Sequence, residues 1–213
     1  MGLVRATLIW TALAAAICAP IAAAATSPLL AWRDAIYITA GFAGIIALGL
    51  VLVQPLLMAG YLPGLSAYRG RQAHYWIGGA LVAAVVVHVV GLWITSPPDM
   101  IDALLFSSPT PFSPWGVTAM WAIFAVALLA ALRRRLGLGP RKWRVIHMTL
   151  ALVIVAGSVV HTLLIEGTME TISKAALCAL VVAATVKVMA DLRVRSKRAK
   201  MRTDTPRHDK VQS

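Results

Sequence analysis

The sequence predicts an all-α membrane protein, a bundle of six transmembrane helices, and three observations carry that reading. The 213-residue chain is 60% hydrophobic with a mean hydropathy of +0.80, and only 13% of it is charged. A soluble domain of this size needs more polar surface. Six apolar stretches are each long enough to cross a hydrocarbon core, which takes about 17–25 helical residues. Helices are the economical way across, because no water is present there to satisfy a free backbone. Almost all of the twenty Lys and Arg fall on alternate connections, as the positive-inside rule requires of a chain that crosses repeatedly.

The elements follow in order. Residues 1–30 hold Arg5 and the apolar run Ala6–Ala25, which ends in Pro20 and the Ala-rich stretch Ala22–Ala25. That pattern suits a cleavable signal segment and also a retained span. We read it as a retained helix; the other five spans keep the same orientation under either reading. The second span is Ala35–Met58. The third, Gln72–Thr95, follows Arg69 and Arg71. The loop Ser96–Pro114 contains a short interfacial helix, Asp99–Phe106, before Pro109, Pro111 and Pro114 stiffen the return. The fourth span is Trp115–Leu132. Arg133, Arg134, Arg135, Arg141, Lys142 and Arg144 join it to the fifth, Trp143–Ile165. The sixth, Ser173–Leu192, is followed by the basic tail 193–213, which has no hydrophobic period and is expected to be disordered after its first turn.

The opposite side carries only Arg33 and Lys174, against Asp34, Asp99, Asp102, Glu166 and Glu170. Both termini are therefore expected in the cytoplasm, in a multi-pass protein of the inner (plasma) membrane. Trp10, Trp76 and Trp143 near the inner boundaries, and Trp32, Trp93 and Trp115 near the outer ones, fit interfacial anchoring. The net charge of +12 belongs to short loops and a tail. It reads as topology and attraction to anionic lipid, not as a nucleic-acid surface. Cys18 and Cys178 lie in separate apolar spans and point to no disulfide.

Four histidines carry the chemistry. His74 and His88 are fourteen residues apart in the third span, and His147 and His161 are fourteen apart in the fifth. Fourteen helical residues rise about 21 Å and fall within roughly 40° of four full turns, so each pair lies on one face of its helix. Both spans run from inside to outside, which levels His74 with His147 and His88 with His161. Such a pattern suits axial bis-His ligation of two haems stacked between the third and fifth helices. Packing, a proton relay or a metal site would each explain a single intramembrane histidine, but not equal spacing at matching depths. No Cys, Asp or Glu joins either pair, which disfavours zinc or copper. Gly78, Gly79, Ala84, Ala151, Gly157 and Ser158 are small neighbours that would leave room for a planar group; Gly41 and Gly44 read as helix packing. Arg69, Arg71 and Arg144 flank the inner pair and could hold propionates, besides obeying the positive-inside rule. With no Cys-x-x-Cys-His motif, any haem is non-covalent and b-type. His208, in the tail, is expected to be solvated.

The run Arg71-Gln-Ala-His74-Tyr-Trp-Ile-Gly continuing to His88, and the run Trp143-Arg-Val-Ile-His147 continuing to His161, resemble the third and fifth helices of ferric-reductase-like transmembrane domains. That family includes ferric-chelate reductases, NADPH oxidases and the haem-bearing membrane subunit of the bacterial periplasmic methionine-sulfoxide reductase system. The resemblance covers residues 35–165, with residues 170–192 as the last span. It implies that His74, His88, His147 and His161 are axial ligands of two b haems, and that electrons cross the membrane. The eukaryotic members carry a cytoplasmic flavin and NADPH domain. Here no Gly-x-Gly-x-x-Gly turn follows a strand, and Gly137-Leu-Gly139 only connects two spans. The chain is thus expected to act as an oxidoreductase component, with a separate flavoprotein or membrane quinol as donor. The acceptor would be a ferric chelate or a periplasmic partner enzyme. A non-redox transporter or assembly factor, using the histidines for protons or metal, is the contrasting class. It would call for broken helices or acidic residues at mid-span, and no span has an acidic residue there.

Overall fold

The computed structural model describes the backbone of residues 2–204 and the side chains of residues 2–194. The long apolar runs become α1 (Gly2–Ala25), α2 (Ala35–Ala59), α3 (Ala67–Thr95), α5 (Ser113–Leu132), α6 (Pro140–Leu164) and α7 (Thr171–Asp204), with a short α4 (Pro97–Leu104) between α3 and α5. Six of these helices are long and apolar enough to cross a membrane.

Local chemistry sets the boundaries. Asp34 caps α2 by accepting from Ile36 N at 2.7 Å, and Gly60 ends it in the left-handed conformation, φ 72°, that glycine adopts without a side-chain clash. Ser66 caps α3 by accepting from Arg69 N, so this helix begins five residues ahead of the apolar run. Pro140 opens α6 at a position where its missing N–H costs nothing. Pro97 likewise opens α4, and the interfacial helix therefore starts and ends two residues earlier than the sequence suggests. Pro20 and Pro55 lie inside α1 and α2 without ending them. The last helix does not stop near Leu192: it runs on through Asp204, because Ala, Met, Lys and Arg all favour helix and no proline intervenes before Pro206. The expected disorder of the rest of the tail, and the solvated His208, lie outside the described residues.

Long-range hydrogen bonds order the two ends of the bundle. Trp10 Nε1 donates to the Pro63 carbonyl at 3.2 Å. The Tyr61 hydroxyl donates to the Asp191 carboxylate, which also takes Lys187 Nζ at 3.2 Å. The start of α1, the α2–α3 turn and the lower part of α7 therefore share one end, here the basic end. Thr168, between α6 and α7, touches Gly41 near the start of α2, at the far end.

α2 packs chiefly on α3, and α5 on α6, while α7 closes against α2 and α6. α3 and α6 are not among the closely packed pairs. The main apolar core is drawn from both hairpins and α7, and includes Leu48, Leu52, Leu81, Ile123, Leu177 and Val181. The histidine helices thus face one another across a gap and are braced from behind by α2 and α5.

Candidate functional site: two histidine pairs across a helix gap

His74 and His147 are each the eighth residue of their helix, so equal spacing along α3 and α6 becomes equal depth in the bundle. The early start of α3 puts His74 two turns inside the helix, not near its end. Across the gap the His74 and His147 ring centres are 5.9 Å apart, and those of His88 and His161 are 6.4 Å apart. All four side chains are half-buried.

At the far end the neighbouring helices hold the rings by one repeated device. His88 Nδ1 lies 2.7 Å from the Ala40 carbonyl of α2, and His161 Nδ1 lies 3.0 Å from the carbonyl of Phe112, the residue just before α5. A carbonyl only accepts, so each Nδ1 carries the proton and donates, which leaves Nε2 with its lone pair free. Four residues beyond each carbonyl stands a glycine. A Cβ on Gly44 would lie 3.0 Å from His88 Nδ1, and a Cβ on Gly116 only 2.6 Å from His161 Nδ1. A second glycine, one turn from each histidine on its own helix, lets the bracing helix come close. Gly91 meets Ala40, and Gly157 meets the Trp115 carbonyl and Ala119.

The basic-end pair is held differently. His147 stacks on Trp143, centres 5.2 Å apart and planes 27° apart, and the Arg133 guanidinium sits over the same indole, 5.1 Å from its ring centre. Gln54 Nε2 donates to the His74 carbonyl at 3.4 Å. Nδ1 of His74, Nδ1 of His147 and Oε1 of Gln54 are buried without a partner. Arg71 and Arg144 are exposed one turn before His74 and His147, in the same relative position on both helices, and form no ion pair among the described residues.

The residues can be tested against a ligated group. An imidazole nitrogen binds a metal at about 2.0–2.1 Å and lies roughly 1.1 Å from its ring centre, so two rings on opposite sides of one ion have centres about 6 Å apart. Both pairs meet that spacing. No cluster of three or more His, Cys, Asp or Glu exists among the described residues, so a bare ion would have only two protein ligands at either level. A group that brings its own equatorial ligands, such as a porphyrin, suits the pairs better. A cavity of about 220 Å³ adjoins the far-end pair, lined mainly by apolar side chains such as Leu48, Val85, Val117 and Met120.

The sequence reading of the neighbours needs correcting. Gly44 is not a plain packing residue but the seat of the His88 ring, whereas Gly41 does pack, against Thr168. Gly157 packs against the Trp115 carbonyl and Ala119, and Gly78 faces Gln54. Ser158 lines the cavity. Ala40, Gly116, Phe112, Gln54 and Lys174 were not singled out for the site. Gln54, the one amide within the second apolar run, was the signal available to find one of them. Residues 40–158 match the family model described as "Ferric reductase like transmembrane component". No curated protein and no solved structure matches the chain.

Proposed function

Because the chain belongs to the ferric reductase-like transmembrane family, we propose that it carries electrons across the membrane through two non-covalent b-type haems. His74 with His147, and His88 with His161, would be the axial ligands. The observation that supports this most is the pair of ring separations, 5.9 and 6.4 Å, set at two depths on helices that do not pack directly. When bound, such haems supply two one-electron carriers at different depths.

The protein's own residues do the rest. Ala40 and Phe112 fix the tautomer and direction of the far-end imidazoles, and a hydrogen-bonded imidazole is a more basic ligand. Trp143 orients His147 from the basic side. Arg71 and Arg144 are placed to pair with carboxylates at the basic end. The apolar core between the hairpins keeps water from the ligands. With the basic end in the cytoplasm of a cell's inner membrane, electrons would arrive from a cytoplasmic flavoprotein or membrane quinol. They would leave on the outer face to a ferric chelate or a partner reductase.

Haem content per chain, with a reduced-minus-oxidised spectrum of detergent-purified protein, tests this. Two low-spin b haems are expected. His88→Ala and His147→Ala should each remove one and spare the other. Absence of haem from cells well supplied with precursor would overturn the proposal and favour a transporter. Oxidation of the reduced, reconstituted protein by a ferric chelate without a partner would mark the chain as itself a reductase.

A further inference from the structure

Three polar or charged residues are buried among the described residues: Ser113, Thr168 and Lys174, at 8%, 6% and 8% exposure. All three line the cavity beside His88 and His161. They come from three different segments, the start of α5, the α6–α7 connection and the first turn of α7, so the sequence does not group them. Burying a cation away from water is costly unless an anion meets it.

The acidic residues at this end do not supply one. The Asp34 carboxylate accepts from Ile36 N at 2.7 Å, and that of Asp99 from the Ser96 hydroxyl at 2.5 Å. Asp102 faces Ser107, and Glu170 accepts from Ser173 N at 2.8 Å. Glu166 is exposed and forms no ion pair. Lys174 Nζ makes one hydrogen bond, donating to the Ile165 carbonyl at 2.9 Å, which leaves two of its three N–H donors. Ser113 shares its hydroxyl with Thr110, within a chain of hydroxyls that reaches Ser108.

We propose that Lys174, supported by the Thr168 and Ser113 hydroxyls, is a carboxylate-binding site at the far-end mouth of the cavity. The proposal rests on the haem reading above. The carboxylate has two sources, a propionate of the group ligated by His88 and His161, or an anionic acceptor that docks there. Capping of the Ile165 carbonyl by the cation alone is the competing account: loss of the buried charge would then still let Lys174→Met shift a potential, but Thr168→Val, which keeps the charge, would move nothing.

Redox titration of the purified two-haem protein decides, with Lys174→Met, Lys174→Arg and Thr168→Val beside the parent. A propionate source predicts that Lys174→Met moves one of the two one-electron transitions toward the oxidised form by about tenfold, about 59 mV, and leaves the other in place. Thr168→Val should move the same transition less, and Lys174→Arg should leave it near the parent. An acceptor source predicts that Thr168→Val leaves both potentials in place, while oxidation of the reduced protein by ferric citrate is slowed about tenfold in Lys174→Met and less in Thr168→Val, and oxidation of Thr168→Val by an uncharged acceptor is unaltered. If Thr168→Val keeps both potentials and both rates at parent values while two haems remain bound, the carboxylate site is refuted and the haem reading stands. Loss of haem from the parent protein would instead strike the haem reading itself. Should Lys174→Met fail to fold, Thr168→Val carries the test alone, because it keeps the charge and the helix cap.

Discussion

Gly116→Ala is the sharpest perturbation the site offers. The added Cβ would stand 2.6 Å from His161 Nδ1 and 2.8 Å from its Cε1. Comfortable contact needs about 3.5 Å, so the ring must retreat by roughly 0.9 Å. Taken along the bond to the Phe112 carbonyl, the same retreat would stretch it from 3.0 Å to almost 4 Å, beyond any hydrogen bond. Metal–ligand distances tolerate only about 0.2 Å, so a ring displaced this far no longer fits its partner across the gap. Loss of such an orienting contact typically costs about 10–100-fold in affinity. Gly44→Ala is graded below it: its Cβ would meet His88 Nδ1 at 3.0 Å and ask for roughly 0.5 Å. Gly79→Ala meets nothing within 4 Å and is the control.

The assay is haem per chain, together with the rate at which haem passes to an excess of a scavenging apoprotein. The far-end haem should leave at least tenfold faster from Gly116→Ala, several-fold faster from Gly44→Ala and at the parent rate from Gly79→Ala. Alanine favours helix over glycine by about 0.8–1.0 kcal/mol, so the losses cannot come from a weakened helix. If Gly116→Ala keeps both haems at the parent rate with an unchanged spectrum, the carbonyl–imidazole seat is not what holds His161.

Two further outcomes follow. Trp143→Leu removes the stack on His147 and the seat of Arg133. Aromatic pairs are worth about 0.5–1.5 kcal/mol, so the basic-end haem should leave up to roughly tenfold faster, and Arg133→Gln should do less; equal parent rates in both would remove Trp143 from the site. Glu170 lies outside the spans and caps α7, and its bonds to Ser173 and Ile172 backbone N–H hold the carboxyl below its ordinary value near 4.5. A depressed carboxylate stabilises the fold above its unfolded pKa, and that contribution fades as pH falls through the native one. Glu170→Gln should therefore lower the melting temperature at pH 7, with the gap to parent closing below about pH 4.5; a gap constant with pH would show that the charge is not involved.

The spans and the four histidines were legible because both depend on local periodicity. Hydropathy finds a helix wherever it packs, and a spacing of fourteen fixes a face without knowledge of the neighbour. The levelling of His74 with His147 was legible too, since short connections force alternate spans to run the same way. Gly44 and Gly116 were not, because a glycine acquires meaning only when a ring from another helix is laid over it. Which carbonyl meets which imidazole depends on how α2 sits against α3 and α5 against α6. Lys174 was counted as a minority cation on its side of the membrane. Its burial arises only when α7 closes over the cavity and Thr168 folds onto Gly41.

The two levels share spacing and helices but not surroundings, and the difference bears on which way electrons would run. Imidazoles that donate to a carbonyl, as His88 and His161 do, are the more basic ligands and favour the oxidised metal. His74 and His147 have no such acceptor at Nδ1, which alone would make the basic-end level the easier to reduce. The cations pull in opposite directions and with unequal strength: Arg71 and Arg144 reinforce the basic end, and Lys174 opposes it from the far end. Arg71 and Arg144 are exposed, where water and salt screen them, whereas Lys174 is buried, where its field is strong. Lys174 would therefore raise the potential of a group bound at the far end, against the pull of the two carbonyls. If transfer outward is to run downhill, Lys174→Met should slow it and Lys174→Arg should not. A chain in which Lys174→Met instead left outward transfer untouched would have its driving force set by the carbonyl seats and the donor alone.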